Sequence, residues 1–191
     1  MTHIDTQRFP RAPHSRRRSG FSLLELMIVV TITSVLAVIA VPTFSAYVQK
    51  ARTAEAVDFL GLIKLRQEAY RAEFGSYYQC DGNTDPAAID FVPGDASVMK
   101  GAVTKTFPAD NACFNAIGAK PDSAVRFGYG WAAGPPGTGL PSVYDMPGDA
   151  ANDHYFIAHA ISDLDGDGTP CTFELTSFTS SVWFTPDQGW E

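Results

Sequence analysis

The sequence predicts an α+β fold in which a long N-terminal helix is the spine of a small antiparallel sheet. Three observations predict it. An apolar run opens abruptly at Phe21 and continues to Pro42, about as long as the roughly 20 residues a helix needs to cross a bilayer core. Over residues 43–75 the apolar residues fall near helical spacing with charges between them, as in an amphipathic helix. Beyond residue 124, short aromatic and β-branched runs are punctuated by Gly, Pro and Asp, the pattern of strands and turns. A chain of 191 residues, 45% hydrophobic and 18% charged, suits one globular domain and not two.

Residues 1–20 mix Pro, Arg and polar side chains without apolar periodicity and read as an unstructured leader. They hold Arg8, Arg11, Arg16, Arg17 and Arg18 against Asp5, a charge of +4, so the formal net charge of -7 leaves -11 for the remainder. The arginines predict that the N-terminal end of the apolar helix stays in the cytoplasm. The acidic remainder is not expected to bind nucleic acid.

The apolar segment, residues 21–42, has one discordant residue, Glu25. A carboxylate near the middle of a membrane helix costs roughly 2.5–3.5 kcal/mol, and less toward the interface. Residues 21–49 contain no Lys, Arg or His to pair with it. Cleavage before Phe21 would create a partner, a new α-amino group about one helical turn from Glu25. In an assembly, the amine of one subunit could meet Glu25 of its neighbour and neutralise both charges in lipid. Glu25 would then set the register of polymerisation.

Arg18-Ser19-Gly20 followed by the residues FSLLELMIVV at 21–30 resembles the class III signal of type IV pilins and type II secretion pseudopilins. The resemblance continues through Pro42 to about Tyr77, roughly the first two-fifths of the chain. It implies that a prepilin peptidase cuts between Gly20 and Phe21, that Phe21 becomes the N-methylated terminus, and that Glu25 is the assembly carboxylate. The implied partners are copies of the chain in a helical filament, the prepilin peptidase/N-methyltransferase, an inner-membrane assembly platform, and membrane lipid before assembly. The implied locations are the inner membrane for the precursor and an extracellular pilus or periplasmic pseudopilus for the polymer. One departure is Ser34, where many members of the family carry Gly. The competing reading is an ordinary secretory signal cut after Val38-Ile39-Ala40. The apolar run is longer than such signals need, and Glu25 would serve nothing in a discarded peptide.

In the amphipathic segment, residues 43–75, the apolar positions Phe44, Tyr47, Val48, Ala51, Val57, Leu60, Ile63 and Tyr70 predict the face toward a core. Pro42 and Gly61 are the expected bends, and Gly75 the expected stop. The globular region, residues 76–191, opens with an irregular connection over 76–124 containing one short helix. Strands are expected at 124–131, 154–161, 172–178 and 181–184, with the Gly- and Pro-rich stretch 134–148 linking the first two. The same fold is what the resemblance implies. Aromatic residues from Tyr77 to Trp190 are rich enough to supply the core or subunit contacts.

Residues 163–174 fit the spacing of an EF-hand calcium loop. Asp163, Asp165, Asp167, the Thr169 carbonyl and Glu174 would surround the ion, and Gly168 would make the sharp turn. The flanks read as strands, and Pro170 and Cys171 are unusual in such a loop, so a hairpin turn without metal is the alternative, with Glu174 facing solvent. No other cofactor is called for. His154 and His159 lie five residues apart and face opposite sides of a regular strand, which does not make a shared metal site. Cys80, Cys113 and Cys171 form no CxxC pair, and an exported domain is expected to hold one disulfide with one cysteine left over. Which two pair stays open at this point. No GxSxG, HExxH or P-loop pattern occurs, so catalysis is not expected. The expected function is a structural pilus subunit. The alternatives are a pseudopilin or minor pilin of a type II secretion system and, from another class, a membrane-tethered calcium-binding or hydrolytic domain.

Overall fold

The computed structural model describes residues 20–101, 103–138 and 152–185. The expected leader, apart from Gly20, therefore lies outside the described residues, as do Trp190 and most of the stretch expected to link the first two strands. A single helix, α1, runs Leu23–Phe74. Gly75 ends it in the left-handed region at φ 76°, its amide donating to the Arg71 carbonyl at 2.8 Å. The chain divides into two compact units, Met1–Val41 and Pro42–Glu191.

In the first unit, every described residue is exposed. In the second, α1 buries Ala56, Phe59, Leu60, Ile63 and Gln67, a stripe at the three- and four-residue intervals of one helix face. The expected core face is corrected at four positions, because Phe44, Tyr47, Ala51 and Val57 are exposed. Val57 follows Ala56 directly and so turns about 100° off the stripe. Phe44, Tyr47 and Ala51 precede the part of the helix that the core covers. Gln67 is fully buried and clasps the chain reversal after the helix, its amide donating to the Tyr78 carbonyl and accepting from the Tyr78 amide.

Four antiparallel strands follow in sequential order: β1 Gly128–Gly134, β2 Tyr155–Ser162, β3 Cys171–Thr176 and β4 Trp183–Phe184. Tyr129 pairs with Ala160 and Trp131 with Ala158, which fixes the inner face. Phe127, Tyr129, Trp131, Phe156, Ala158, Phe173 and Leu175 pack there with α1, and the Phe59 and Tyr129 rings meet edge-on at 4.5 Å. The first strand starts later than the sequence predicts, because Val125 bridges Lys105 instead.

The outer face of the sheet is buried as well. The segment 89–94 runs beside β1, where Val92 and Tyr129 exchange both backbone hydrogen bonds at 2.9 Å, and leans over the outer face at Gly128 and Gly130. A Cβ on Gly128 would stand 1.8 Å from the Gly94 carbonyl oxygen, and one on Gly130 2.6 Å from that of Asp90. Only glycine admits that approach.

The irregular region contains the expected short helix, α2, at Ala112–Ile117, with Asn111 capping the Phe114 amide and Gly118 closing it. Single 3-10 turns lie at Cys80–Gly82 and Pro86–Ala88. A Cys80–Cys113 disulfide ties the first turn to α2, and Cys171 is a buried free thiol.

Candidate functional site

The head of α1 is built by its own first residues. Ser22 is the N-cap: its Oγ accepts from the Glu25 amide at 3.1 Å and its carbonyl from the Leu26 amide at 3.2 Å. Ser22 and Glu25 thus occupy the N-cap and third positions of a Ser-x-x-Glu capping pattern, a signal that the sequence reading passed over. Glu25 stands in the first turn, where the positive end of the helix dipole favours a carboxylate. Gly20 and Phe21 precede the helix and are exposed, Phe21 at 84%.

Below that turn, the span Leu23–Val41 is long and apolar enough to cross a membrane. Its few hydroxyls are satisfied within the helix. Thr31 donates to the Met27 carbonyl, Thr33 to those of Val29 and Val30, and Ser34 to that of Val30. The polar side chains other than Glu25 therefore impose little on an apolar solvent. Ser34 spends its hydroxyl on the helix itself at the position where the resembled family often has Gly.

The acidic loop after β2 is a second candidate. One ligand oxygen each from Asp163, Asp165 and Asp167 lies within 4.8 Å of the others. Asp163 is buried, and its two oxygens accept from the amides of Gly166 and Gly168 at 2.8 and 3.1 Å. Lys100 stands 3.4 Å away. Burial opposes ionisation of Asp163, but the two amides and Lys100 outweigh it and hold the carboxyl below the usual range. Asp165 accepts from the Asp167 amide and Asp167 from the Thr169 amide, which are turn-forming bonds.

Glu174 does not join this cluster. It lies in β3, fully buried, with Oε2 2.9 Å from Nε2 of its cross-strand partner His159. Neither expectation for Glu174 holds, the calcium ligand or the solvent-facing residue. A strand residue whose face is roofed by another segment has neither the loop nor water within reach. The Phe91 ring lies 6.5 Å from that of His159, nearly parallel to it. Strand register would reveal this pair, but periodicity alone does not give register. At the lower end of the sheet, Glu55 accepts from the Arg126 amide and pairs with its guanidinium at 3.1 Å.

A family model described as "Prokaryotic N-terminal methylation motif" matches residues 15–41. The type IV major fimbrial protein FimA of Dichelobacter nodosus is 32% identical over 114 residues, covering 59% of this chain and 68% of its own. The type IV major pilin protein PilE1 of Neisseria gonorrhoeae is 31% identical over 98 residues, 49% of each chain. The prepilin peptidase-dependent protein D of Escherichia coli is 30% identical over 94 residues, 47% of this chain and 64% of its own. The chain thus spans between about half and two-thirds of the length of these relatives. No solved structure matches it. A methylation motif at the head of an exposed apolar helix, a helix-and-sheet fold and relatives named as pilins agree, and the chain belongs to the type IV pilin and pseudopilin family.

Proposed function

We propose that the chain is a structural subunit of a type IV pilus, cut after Gly20 and assembled through α1. The carrying observation is the head of the helix: an exposed, capped first turn presenting Glu25, followed by an apolar segment with no buried residue. Such a surface is stable only in lipid or against other apolar helices, because each large aliphatic side chain gains about 1.5–3 kcal/mol on leaving water. The new amine of Phe21, methylated after cleavage, meets Glu25 of a neighbour and removes both charges from the apolar filament core.

Two of the relatives are named major subunits and one is named for its dependence on prepilin peptidase. These names support both the filament and the processing. They also favour a structural role over the membrane-tethered hydrolase. The assembly platform and the inner-membrane precursor stage belong to this reading too.

The pilus subunit and the pseudopilin are separated by abundance. Filaments sheared from cells should contain this chain as their main protein. A chain confined to the envelope, with sheared filaments made of another subunit, would make it a pseudopilin or minor subunit instead.

A further inference from the structure

We infer that a pocket beside the end of α1 binds a neutral saccharide against its tyrosine rings. The pocket lies wholly within the second unit, and the inference does not depend on the filament reading. Tyr70 near the end of α1, Tyr77 and Tyr78 in the chain reversal after it, and Pro135 just beyond β1 line an open space of about 390 Å³. That volume is within the range of small-molecule pockets. Ser76, Gln79 and His154 complete the lining.

The walls are held before any ligand arrives. The Tyr78 amide donates to the Gln67 side chain at 2.9 Å, and its carbonyl accepts from Gln67 at 3.2 Å and from Trp131 Nε1 at 2.9 Å. The Tyr77 hydroxyl lies between Arg71 and Glu68, at 2.9 and 3.0 Å, and its ring meets that of Phe156 edge-on at 4.9 Å. The Tyr70 and Tyr78 rings also meet edge-on, at 5.4 Å. Within this frame, the Tyr70 and Tyr78 hydroxyls, Ser76 Oγ, the Gln79 amide and the His154 ring make no hydrogen bond to any described residue. Free donors and acceptors around fixed rings are preorganised for a ligand.

The chemistry of the lining selects the ligand. Among the described residues, no Asp, Glu, Lys or Arg lines the pocket. Arg71, which bonds the Tyr77 hydroxyl and lies over its ring, is already paired with both Asp153 oxygens at 2.7 Å. An anionic ligand would therefore enter without a counter-ion, at a desolvation cost. A matching ligand needs an apolar face for the rings and groups that both donate and accept hydrogen bonds. A pyranose has both, a face of C–H groups and a rim of hydroxyls. A proline-rich segment also docks on tyrosine-lined surfaces, but proline offers a carbonyl and no N–H, so the acceptors of Gln79 and His154 would go unmatched.

The test uses the full chain in phosphatidylcholine nanodiscs, which contain no sugar-headed detergent. Saturation-transfer NMR is run against the methyl glycosides of glucose, galactose, mannose and N-acetylglucosamine, with sialic acid and an oligoproline peptide as the competing probes. At least one neutral glycoside should bind with a Kd on the order of 1 mM, with the strongest transfer at the C–H protons of one ring face. Gln79→Ala with His154→Ala removes no side-chain hydrogen bond of the fold and should weaken binding on the order of ten-fold. Tyr70→Phe keeps the ring and should weaken it about five-fold. Denaturant midpoints equal to that of the unchanged chain show which variants are folded, and Tyr70→Phe keeps the test decisive if the double variant is not. No transfer from any neutral glycoside, transfer from sialic acid or the peptide alone, or an unchanged Kd in the folded variants would overturn the inference.

Discussion

The two units of this chain treat apolar residues in opposite ways. From Leu23 to Val41 none is buried, while the sheet buries residues on both of its faces. Among the described residues of the first unit, Glu25 is the one charged side chain, and the hydroxyls of Thr31, Thr33 and Ser34 settle on the helix backbone. The second settles its demands internally across long sequence distances, with Gln67 on Tyr78, Glu55 on Arg126 and His159 on Glu174. An exposed apolar surface of this length is stable only with lipid or other apolar helices around it.

That contrast breaks most visibly at Glu25. Glu25→Ala should leave cleavage and membrane insertion intact and cut filament yield sharply, because the amine of Phe21 would then enter the apolar core without a carboxylate. Normal yield from this variant would remove Glu25 from assembly. The sheet domain, by contrast, should respond in stability. Glu174→Ala leaves His159 buried without its carboxylate and should destabilise by about 3–5 kcal/mol in chemical denaturation. Replacing both residues with apolar ones of similar size should recover much of that loss. If the single and double variants unfold alike, the pair is not what holds the outer face together.

Removing the Cys80–Cys113 bridge by alanine at both positions should cost about 3–4 kcal/mol, since it frees a loop of 33-residue separation. Filament assembly should survive wherever the domain stays folded. The smallest effect is expected at Asp163. Its folded-state pKa is held down, so its contribution is complete above the unfolded value of about 3.9 and is lost as pH falls through the folded value. Asp163→Asn should therefore flatten the acid limb of the stability curve below about pH 4. Lys100 already supplies a cation at this loop, so melts with calcium and with chelator should coincide. A melt raised by calcium would show that Asp163, Asp165 and Asp167 recruit the ion.

Much of this architecture is legible in the sequence, for identifiable reasons. The Phe21 onset, Glu25 and the Gly75 stop are local signals that need no tertiary knowledge. The strands are legible to within a few residues, because aromatic runs between turn residues are also local. The core face of α1 reads too wide from the sequence, because apolar residues at helical spacing begin ahead of the part of the helix that the core covers. The His159–Glu174 pair and the roof over Gly128 and Gly130 depend on register and on a segment some 35 residues earlier. Spacing within the acidic loop suggested Glu174 as a ligand only because sequence distance cannot show that β3 carries it away.

The measurement that tests the central claim most directly is the mass of the N-terminal peptide from chain recovered in membrane or sheared fractions. The account predicts a chain beginning at Phe21 and carrying one added methyl group, with Glu25 retained. A chain beginning near Val41 would contradict it, because the leader, Phe21, Glu25 and the whole apolar segment would then be discarded together.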